Sequence, residues 1–146
     1  MLIRPARAEN LEAMAALHQL CFDAEAWGAA RLEGSLSLPT TESGLLFDDD
    51  ILIGFYLTQR TLEEIEILTF CVHPEHQGKG FGTKLLKHLI QQGAGHILFL
   101  EVAADNTAAL VLYEGCGFRY LSRRLCYYQR ENKSVDALIY HYASAC

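Results

Sequence analysis

The sequence lacks an apolar run long enough to cross a membrane, and its longest uninterrupted apolar stretches are short and strand-like, as at 97–100. A membrane-spanning helix needs roughly 20 consecutive apolar residues. Residues 1–7 also lack the basic flank and apolar run of a secretory signal peptide. We therefore expect a cytoplasmic protein that does not associate with membranes.

Basic residues are also scarce, with 12 Lys and Arg against 18 Asp and Glu and a formal net charge of −6. Nucleic-acid binding depends on a basic face that neutralises phosphates. This charge balance argues against direct nucleic-acid binding. It is compatible with a cationic partner, such as an amine or a basic peptide.

Paired cysteines are missing as well, because the five cysteines are odd in number, scattered and without a Cys-x-x-Cys pair. We expect reduced thiols rather than a disulfide framework. The nearest approach to a metal-ligand pattern is Cys71-x-His73-x-x-His76. Its histidines flank Pro74 in a turn, and no fourth ligand follows at a suitable spacing. We therefore expect no metal.

The apolar periodicity of the 146 residues predicts one domain, 1–146, with alternating strands and helices. The expected helices cover 11–22, 27–36, 81–92 and 106–114. Strands are expected near Ile3 and at 44–47, 51–58, 64–72, 96–102, 118–124 and 136–142, with a polar loop at 129–134. This order predicts an α/β protein with a mixed sheet, in which the strands flanking the third helix are parallel neighbours.

The strongest local signal is a glycine-rich turn between a strand and an amphipathic helix, with the sequence Gln77-Gly78-Lys79-Gly80-Phe81-Gly82-Thr83. Residues without side chains let the backbone approach a ligand closely. The first amides of the helix have no partner within the helix, and its dipole favours an anion such as a pyrophosphate. The spacing matches neither a P-loop nor a dinucleotide-binding fingerprint.

The spacing Gln77-x-x-Gly80-x-Gly82, which follows Val72-His73-Pro74, resembles the acetyl-CoA pyrophosphate loop of the GNAT superfamily of N-acetyltransferases. Downstream residues resemble the second half-motif of the same family: Asn106-x-x-Ala109, Leu112-Tyr113-Glu114 and Gly117-Phe118. The resemblance implies acetyl-CoA as cosubstrate, with residues 77–83 at its pyrophosphate. It also implies that Asn106 contacts the pantetheine arm, and that backbone groups hold this arm like an extra strand, at Phe70, Cys71 and Val72.

Within the superfamily the chain resembles the RimI type, which acetylates the N-terminal alanine of a small-subunit ribosomal protein. The supporting residues are His18-x-x-x-Phe22 with Trp27, Leu100-Glu101-Val102, Arg124-x-x-Tyr127-Tyr128 and Asp136-Ala137-Leu138. The chain departs from this type at Gln129 and Val135, beside the expected acceptor loop. The implied fold is a three-layer GNAT-like fold. Its central sheet is mixed, mostly antiparallel and of about seven strands, with helices on both faces and a parallel, splayed strand pair.

Amine acetylation by a thioester needs a base for the amine and an acid for the departing thiolate. The strand at 96–102 is apolar on both faces apart from Glu101, as expected for a central strand that is covered on both faces. Glu101 is the base candidate, and we expect it to be partly desolvated. The resemblance assigns the acid role to Tyr113. Glu66, on the preceding strand, is an alternative base. We expect Tyr127 and Tyr128 to line the path of an acceptor peptide.

Other functions remain open at this stage. A GNAT enzyme can acetylate a small-molecule amine or a lysine instead of a protein N-terminus. A non-catalytic acyl-CoA-binding module is another reading, although it would need neither Glu101 nor Tyr113. A GNAT enzyme acting on aminoacyl-tRNA is disfavoured by the net charge of −6. We expect a protein N-terminus, in a ribosomal protein, as the acceptor.

Overall fold

The computed structural model describes residues 2–130 and 133–143. Within these residues the helices are α1 (Leu11–Phe22), α2 (Ala29–Leu36), α3 (Phe81–Gln92) and α4 (Thr107–Gly115). The strands are β1 (Leu2–Arg4), β2 (Thr41–Asp48), β3 (Ile51–Arg60), β4 (Glu64–Val72), β5 (Ile97–Ala103), β6 (Arg119–Arg130) and β7 (Lys133–Ala143). None of the described helices is long and apolar enough to cross a membrane.

The strands form one sheet in the order β1-β2-β3-β4-β5-β7-β6. All neighbouring pairs are antiparallel except β4 and β5, which are parallel and are joined through α3. A parallel pair needs such a crossover, since the chain must return to the end at which the first strand began. The predicted mixed, mostly antiparallel sheet with one parallel pair is confirmed.

Helices cover both faces of this sheet and bury two separate apolar clusters. On one face, Leu85, Leu86 and Leu89 of α3 pack with alternate sheet residues such as Ile53. On the other, α1 and α2 bury Met14, Leu17 and Leu32 against the remaining alternate residues, including Leu45, Phe55, Leu57 and Cys71. The period-2 alternation of a strand divides its side chains between the two clusters.

The parallel strands separate part of the way along their length. β4 and β5 pair from Glu64 opposite Ile97 to Ile67 opposite Leu100, and the pairing then ends. Immediately beyond this point β4 bulges, because Thr58 of β3 faces Ile67 while Leu57 faces Thr69, which leaves Leu68 without a partner. A bulge bends its strand. The bulge therefore accompanies the predicted splayed pair, and β4 beyond it has an open edge toward β5.

Three expectations about individual elements are corrected. α2 begins at Ala29 rather than at 27, because the backbone N–H of Trp27 is bonded to a side chain of α1 instead. The last two strands extend through much of the expected 129–134 loop and pair as far as Arg130 opposite Lys133. β5 is covered on one face only, since Ile97 and Glu101 on the other face are exposed.

Candidate active site

The separation of β4 and β5 opens a cleft of about 1320 Å³. Most of the residues expected at a site line it: Phe70, Cys71, Val72, Gln77, Gly78, Gly80, Gly82, Thr83, Glu101, Asn106, Tyr113, Tyr127 and Tyr128. Lys79 is exposed beside the cleft but is not part of its lining, and the Phe81 side chain packs against the core under α3. Residues scattered between 70 and 128 are thus gathered in one place.

The glycine loop leaves the start of α3 without a side-chain cap. Gly80 is the N-cap residue, and its φ of 87° lies in the left-handed region that favours glycine. The first amide to bond back within the helix is that of Lys84, which donates to the Gly80 carbonyl at 3.1 Å. The amides of Phe81, Gly82 and Thr83 therefore face out of the helix end, as a pyrophosphate site requires.

The backbone alternation of β4 decides which residues present polar groups to the open edge. The His73 amide donates to the Ile53 carbonyl of β3 at 2.7 Å. In an antiparallel pair every second residue bonds to the same neighbour, so Cys71 also directs its backbone groups to β3. Phe70 and Val72 direct theirs into the gap toward β5. The register thus narrows the expected strand-like contacts with the pantetheine arm to Phe70 and Val72.

Part of this open edge already has partners. The Val72 carbonyl accepts hydrogen bonds from Gln77 Nε2 at 3.1 Å and from Cys21 Sγ at 3.3 Å. Gln77 therefore acts through its side chain to hold the loop against the end of β4. The amide of Val72 and both backbone groups of Phe70 remain directed into the cleft.

α4 contributes two of the expected residues from the opposite wall. Asn106 caps the helix, with its Oδ1 accepting from the Ala109 amide at 3.2 Å, which leaves its Nδ2 free to donate to a ligand. Tyr113 is 6% exposed and packs between the rings of Phe70 and Phe118, with centroids 5.9 and 5.8 Å away. Burial raises the pKa of Tyr113, so its hydroxyl stays protonated at neutral pH.

Glu101 is the first residue of β5 beyond the point where the parallel pairing ends. Its Oε1 accepts from Arg124 Nη1 at 2.8 Å, and its side chain is 30% exposed. The side chain is therefore partly covered, and its partial desolvation stays a prediction. Its second oxygen, Oε2, has no partner among the described residues, so it is available to a water molecule or an amine.

A bulge in β6 carries the two tyrosines expected at the acceptor side. The pairing with β7 is interrupted between Arg124 and Tyr128, where Cys126 has a φ of 52°. The rings of Tyr127 and Tyr128 meet edge to face at 5.1 Å, and the Arg124 guanidinium lies 4.0 Å from the Tyr127 ring centre. Arg124 thus joins the base candidate to the tyrosines. Sequence reasoning gave it no role, because its partners are distant in the chain.

The alternative base, Glu66, is also at the cleft. It is exposed, and it lines both the cleft and an adjoining groove of about 310 Å³ that Glu101 shares. Its register partner on β5 is Phe99, so it lies within the paired part of the two strands. The position of Glu66 is therefore further from the open gap than that of Glu101.

The histidines of the loop make local contacts. His73 Nδ1 accepts from the Glu75 amide at 3.1 Å, and the rings of His73 and His76 meet at 5.2 Å. Among residues 2–130 and 133–143 no group of three or more His, Cys, Asp or Glu side chains is arranged to hold a metal ion. The absence of a metal stays an expectation from the sequence.

A splayed parallel strand pair and an uncapped helix start behind a glycine loop border one cleft, which the candidate base and the candidate acid also line. This architecture is that of an acyl-coenzyme A-dependent transferase. Residues 9–118 match the model of the acetyltransferase (GNAT) family. The chain belongs to that family, and the predicted superfamily is confirmed.

Individual relatives narrow the resemblance. The [ribosomal protein bS18]-alanine N-acetyltransferase of Salmonella typhimurium is 39% identical over 94 residues, which are 62% of this chain and 64% of that protein. The match thus spans less than two thirds of the curated relative. The crystal structure of the ribosomal-protein-S18-alanine N-acetyltransferase from Escherichia coli aligns with a TM-score of 0.87 at 29% identity. It covers 96% of this chain and 91% of that one.

A third similarity concerns the fold alone. Arabidopsis thaliana NAA60, solved in complex with acetyl-CoA, aligns with a TM-score of 0.84 over 97% of both chains at 18% identity. Together with the bacterial structure it confirms the GNAT fold, and the predicted resemblance to the RimI type agrees with the curated relatives.

Proposed function

We propose that this chain transfers an acetyl group from acetyl-CoA to the free α-amine of a protein N-terminus. The first residue of the acceptor is alanine, and the acceptor is a small-subunit ribosomal protein of the cytoplasm. The observation that carries the proposal is Glu101, whose free carboxylate oxygen lies where β4 and β5 part, in the same cleft as Tyr113. The identity of the acceptor is supported by the named bacterial relatives.

The residues of the cleft fit acetyl-CoA along its length. The amides at the start of α3 would bind the pyrophosphate, and Gly80, with a φ of 87° and no side chain, would let the backbone approach it. The open edge at Phe70 and Val72 pairs with the amides of the pantetheine arm, and Asn106 Nδ2 donates to it from α4. When bound, acetyl-CoA supplies the acyl group as an activated thioester.

The chain's own residues move two protons. An ammonium group cannot attack a thioester, so Glu101 Oε2 takes a proton from the incoming amine directly or through water. The Tyr113 hydroxyl carries its proton at neutral pH, as an ordinary phenol does, and burial raises its pKa further. Tyr113 donates that proton toward the sulfur as negative charge develops there. Arg124 holds the other oxygen of Glu101 and fixes its direction.

The modest base that Glu101 provides suits an α-amine better than a lysine. An α-amine has a pKa of about 8 and a lysine one of about 10.4, a difference of roughly 3 kcal/mol in the cost of deprotonation. An exposed carboxylate meets the smaller of these costs more readily. This difference supports an N-terminal acceptor, in line with the relatives.

The test compares two acceptor peptides of the same composition. One has a free N-terminal alanine and its lysines blocked, and the other has a blocked N-terminus and free lysines. We expect mass spectrometry to find acetylation on the α-amine of the first peptide and none on the second. Efficient acetylation of the second peptide, or faster turnover of a polyamine than of either, would contradict the proposal. Binding of acetyl-CoA with no turnover of any amine would favour a non-catalytic module.

A further inference from the structure

A buried histidine lies in the wall of the cleft that faces away from α4. His18 on α1 is 2% exposed, and its ring is surrounded by those of Phe22, Trp27 and Phe55, with centroids at 4.3, 5.6 and 6.0 Å. An apolar residue would fill such a place without leaving polar atoms to satisfy. The two buried ring nitrogens of His18 therefore require hydrogen-bond partners.

Both nitrogens of this ring have partners, and the partners fix its tautomer. The backbone N–H of Trp27 donates to His18 Nδ1 at 3.0 Å. Because a backbone amide only donates, Nδ1 is the accepting nitrogen and the proton of the neutral ring is on Nε2. His18 Nε2 then donates to Thr69 Oγ1 at 2.8 Å. Burial, and secondly the positive charge of Arg31, lowers the pKa of His18 to about 4, so the ring is neutral near pH 7.

The hydroxyl that His18 holds belongs to a residue that lines the cleft. Thr69 follows the bulged Leu68 on β4, is 9% exposed and lines the cleft. Since Oγ1 accepts from His18, its own proton remains to be donated, and no acceptor for it is found among the described residues. Thr69 is thus an oriented hydrogen-bond donor, held in place by a fully buried ring.

The side of the sheet on which Thr69 lies indicates what it contacts. Its neighbour Phe70 points to the opposite face and touches Tyr113, on the wall that the proposed function assigns to the coenzyme. Thr69 points toward α1, on the face that must admit the acceptor. A peptide whose α-amine reaches Glu101 carries its first carbonyl oxygen one residue's length from that amine. A carbonyl oxygen accepts hydrogen bonds and does not donate them, which complements the Thr69 hydroxyl.

We propose that His18 is a positioning residue that acts through Thr69, whose hydroxyl donates to the first carbonyl oxygen of the acceptor peptide. The same ring fixes the start of the α2 segment through Trp27, so one side chain sets two parts of the acceptor wall. This inference rests on the proposed function and adds to it a reason for peptide selectivity. A simple amine has no carbonyl to accept the bond.

Thr69 is tested first, with a matched pair of variants and a matched pair of acceptors. Thr69→Val removes the hydroxyl at nearly constant volume, and Thr69→Ser keeps it. We expect Thr69→Val to raise the KM for an alanine peptide by ~3–10-fold, as loss of one hydrogen bond predicts, with the KM for acetyl-CoA unchanged. Thr69→Ser should resemble the native protein. For a peptide with an alkene in place of its first amide, native protein and Thr69→Val should have equal KM values.

His18 is tested with two substitutions, to glutamine and to asparagine, whose side-chain amides each replace one of the two ring nitrogens. In His18→Gln the side-chain NH₂ reaches the position of Nε2 and can donate to Thr69, whereas in His18→Asn the side-chain oxygen replaces only Nδ1. We expect His18→Asn to raise the peptide KM like Thr69→Val, and His18→Gln to recover part of the loss. The double variant His18→Asn/Thr69→Val should have a peptide KM no higher than that of the more impaired single variant, because His18 acts only through Thr69.

The outcomes separate this inference from the function on which it rests. If the native protein does not acetylate the peptide, the proposed function fails and the inference fails with it. If the native protein acetylates the peptide and Thr69→Val has the same KM, the inference alone is overturned. Long-range ¹H–¹⁵N spectra of His18 give a readout without turnover, and a proton on Nδ1 would also overturn it. Should His18→Asn not fold, the Thr69 pair and these spectra still decide.

Discussion

At the residue scale, the two residues proposed to move protons have opposite surroundings. Glu101 is 30% exposed and bonded to Arg124, whereas Tyr113 is 6% exposed and enclosed by aromatic rings. Exposure gives the carboxylate access to water and to the incoming amine. A phenol is protonated at neutral pH, and burial raises the pKa of Tyr113 further, so its proton leaves only for a strong acceptor. Each environment thus favours the protonation state that its proposed role requires.

The base is tested with Glu101→Gln, which preserves the shape and the oxygen that accepts from Arg124. We expect kcat for an N-terminal alanine peptide to fall by roughly 10²-fold, because the amine loses its proton acceptor. Raising the pH should restore part of the rate, since the amine then deprotonates in solution. Glu66→Gln is the matched control, being a second exposed carboxylate of the same cleft, and it should keep most of the activity. If Glu66→Gln is the slower variant, the base role moves to Glu66.

The acid is tested with Tyr113→Phe, which removes one hydroxyl and keeps the ring packed against Phe70. The hydroxyl is needed chiefly when charge develops on sulfur. We therefore expect kcat to fall by about 10²-fold, with little change in the KM for acetyl-CoA. Steady-state kinetics with acetyl-CoA as the varied substrate measures both values. An unchanged kcat would leave Tyr113 as a packing residue.

At the element scale, the coenzyme site depends on the end of one helix and the edge of one strand. The bounds of α1, β4 and α3 were predictable, because each has a clear apolar period, which ends at a turn signal in two of them: His73-Pro74 after β4 and Gly93 after α3. The glycine-rich turn before α3 was predictable for the same reason, since it consists of consecutive residues.

Features that depend on partners distant in the chain were not predictable. The bulge at Leu68 and the β6 bulge arise from pairing with β3 and β7. The exposed face of β5 depends on where α1 and α2 lie, which local sequence does not specify. For this reason the sequence singled out Glu101 as a base candidate without its ion pair to Arg124, and it gave no role to Arg124 or Thr69.

The helix end is tested with Gly80→Asp and a control at the other end of α3. An aspartate at the N-cap accepts from the free helix amides and repels phosphate, so acetyl-CoA should no longer stabilise the fold. Gly95→Asp is the control, because it forces an aspartate into the same left-handed backbone conformation: φ is 86° at Gly95 and 87° at Gly80. At neither position does an atom lie within 4 Å of an added Cβ. Thermal shift with acetyl-CoA should be lost in the first variant and kept in the second. A shift retained in Gly80→Asp would remove the pyrophosphate assignment.

At the scale of the whole molecule, the cleft has two walls, one from each of the helical layers that pack on opposite faces of the sheet. The side of α3 and α4 carries the groups assigned to the coenzyme, and the side of α1 and α2 carries the wall assigned to the acceptor. The second wall is joined to the sheet by the buried His18–Thr69 pair. Global stability is therefore linked to the protonation of one histidine.

The pKa of His18 falls from 6.5 to about 4 on folding, mainly through burial. Between these pH values the unfolded chain binds a proton that the native protein does not, so the free energy of unfolding must decrease as the pH falls through this window. The full shift corresponds to about 3 kcal/mol.

Urea unfolding at a series of pH values from 7 to 4 should show this loss in the native protein. In His18→Gln, which has no proton to gain at this site, the decrease over the same window should be smaller by about that amount. Carboxylates titrating near pH 4 affect both proteins equally, so they cancel in the difference. Parallel stability curves for the two proteins would mean that the ring is protonated in the native state, and that Trp27 does not donate to it.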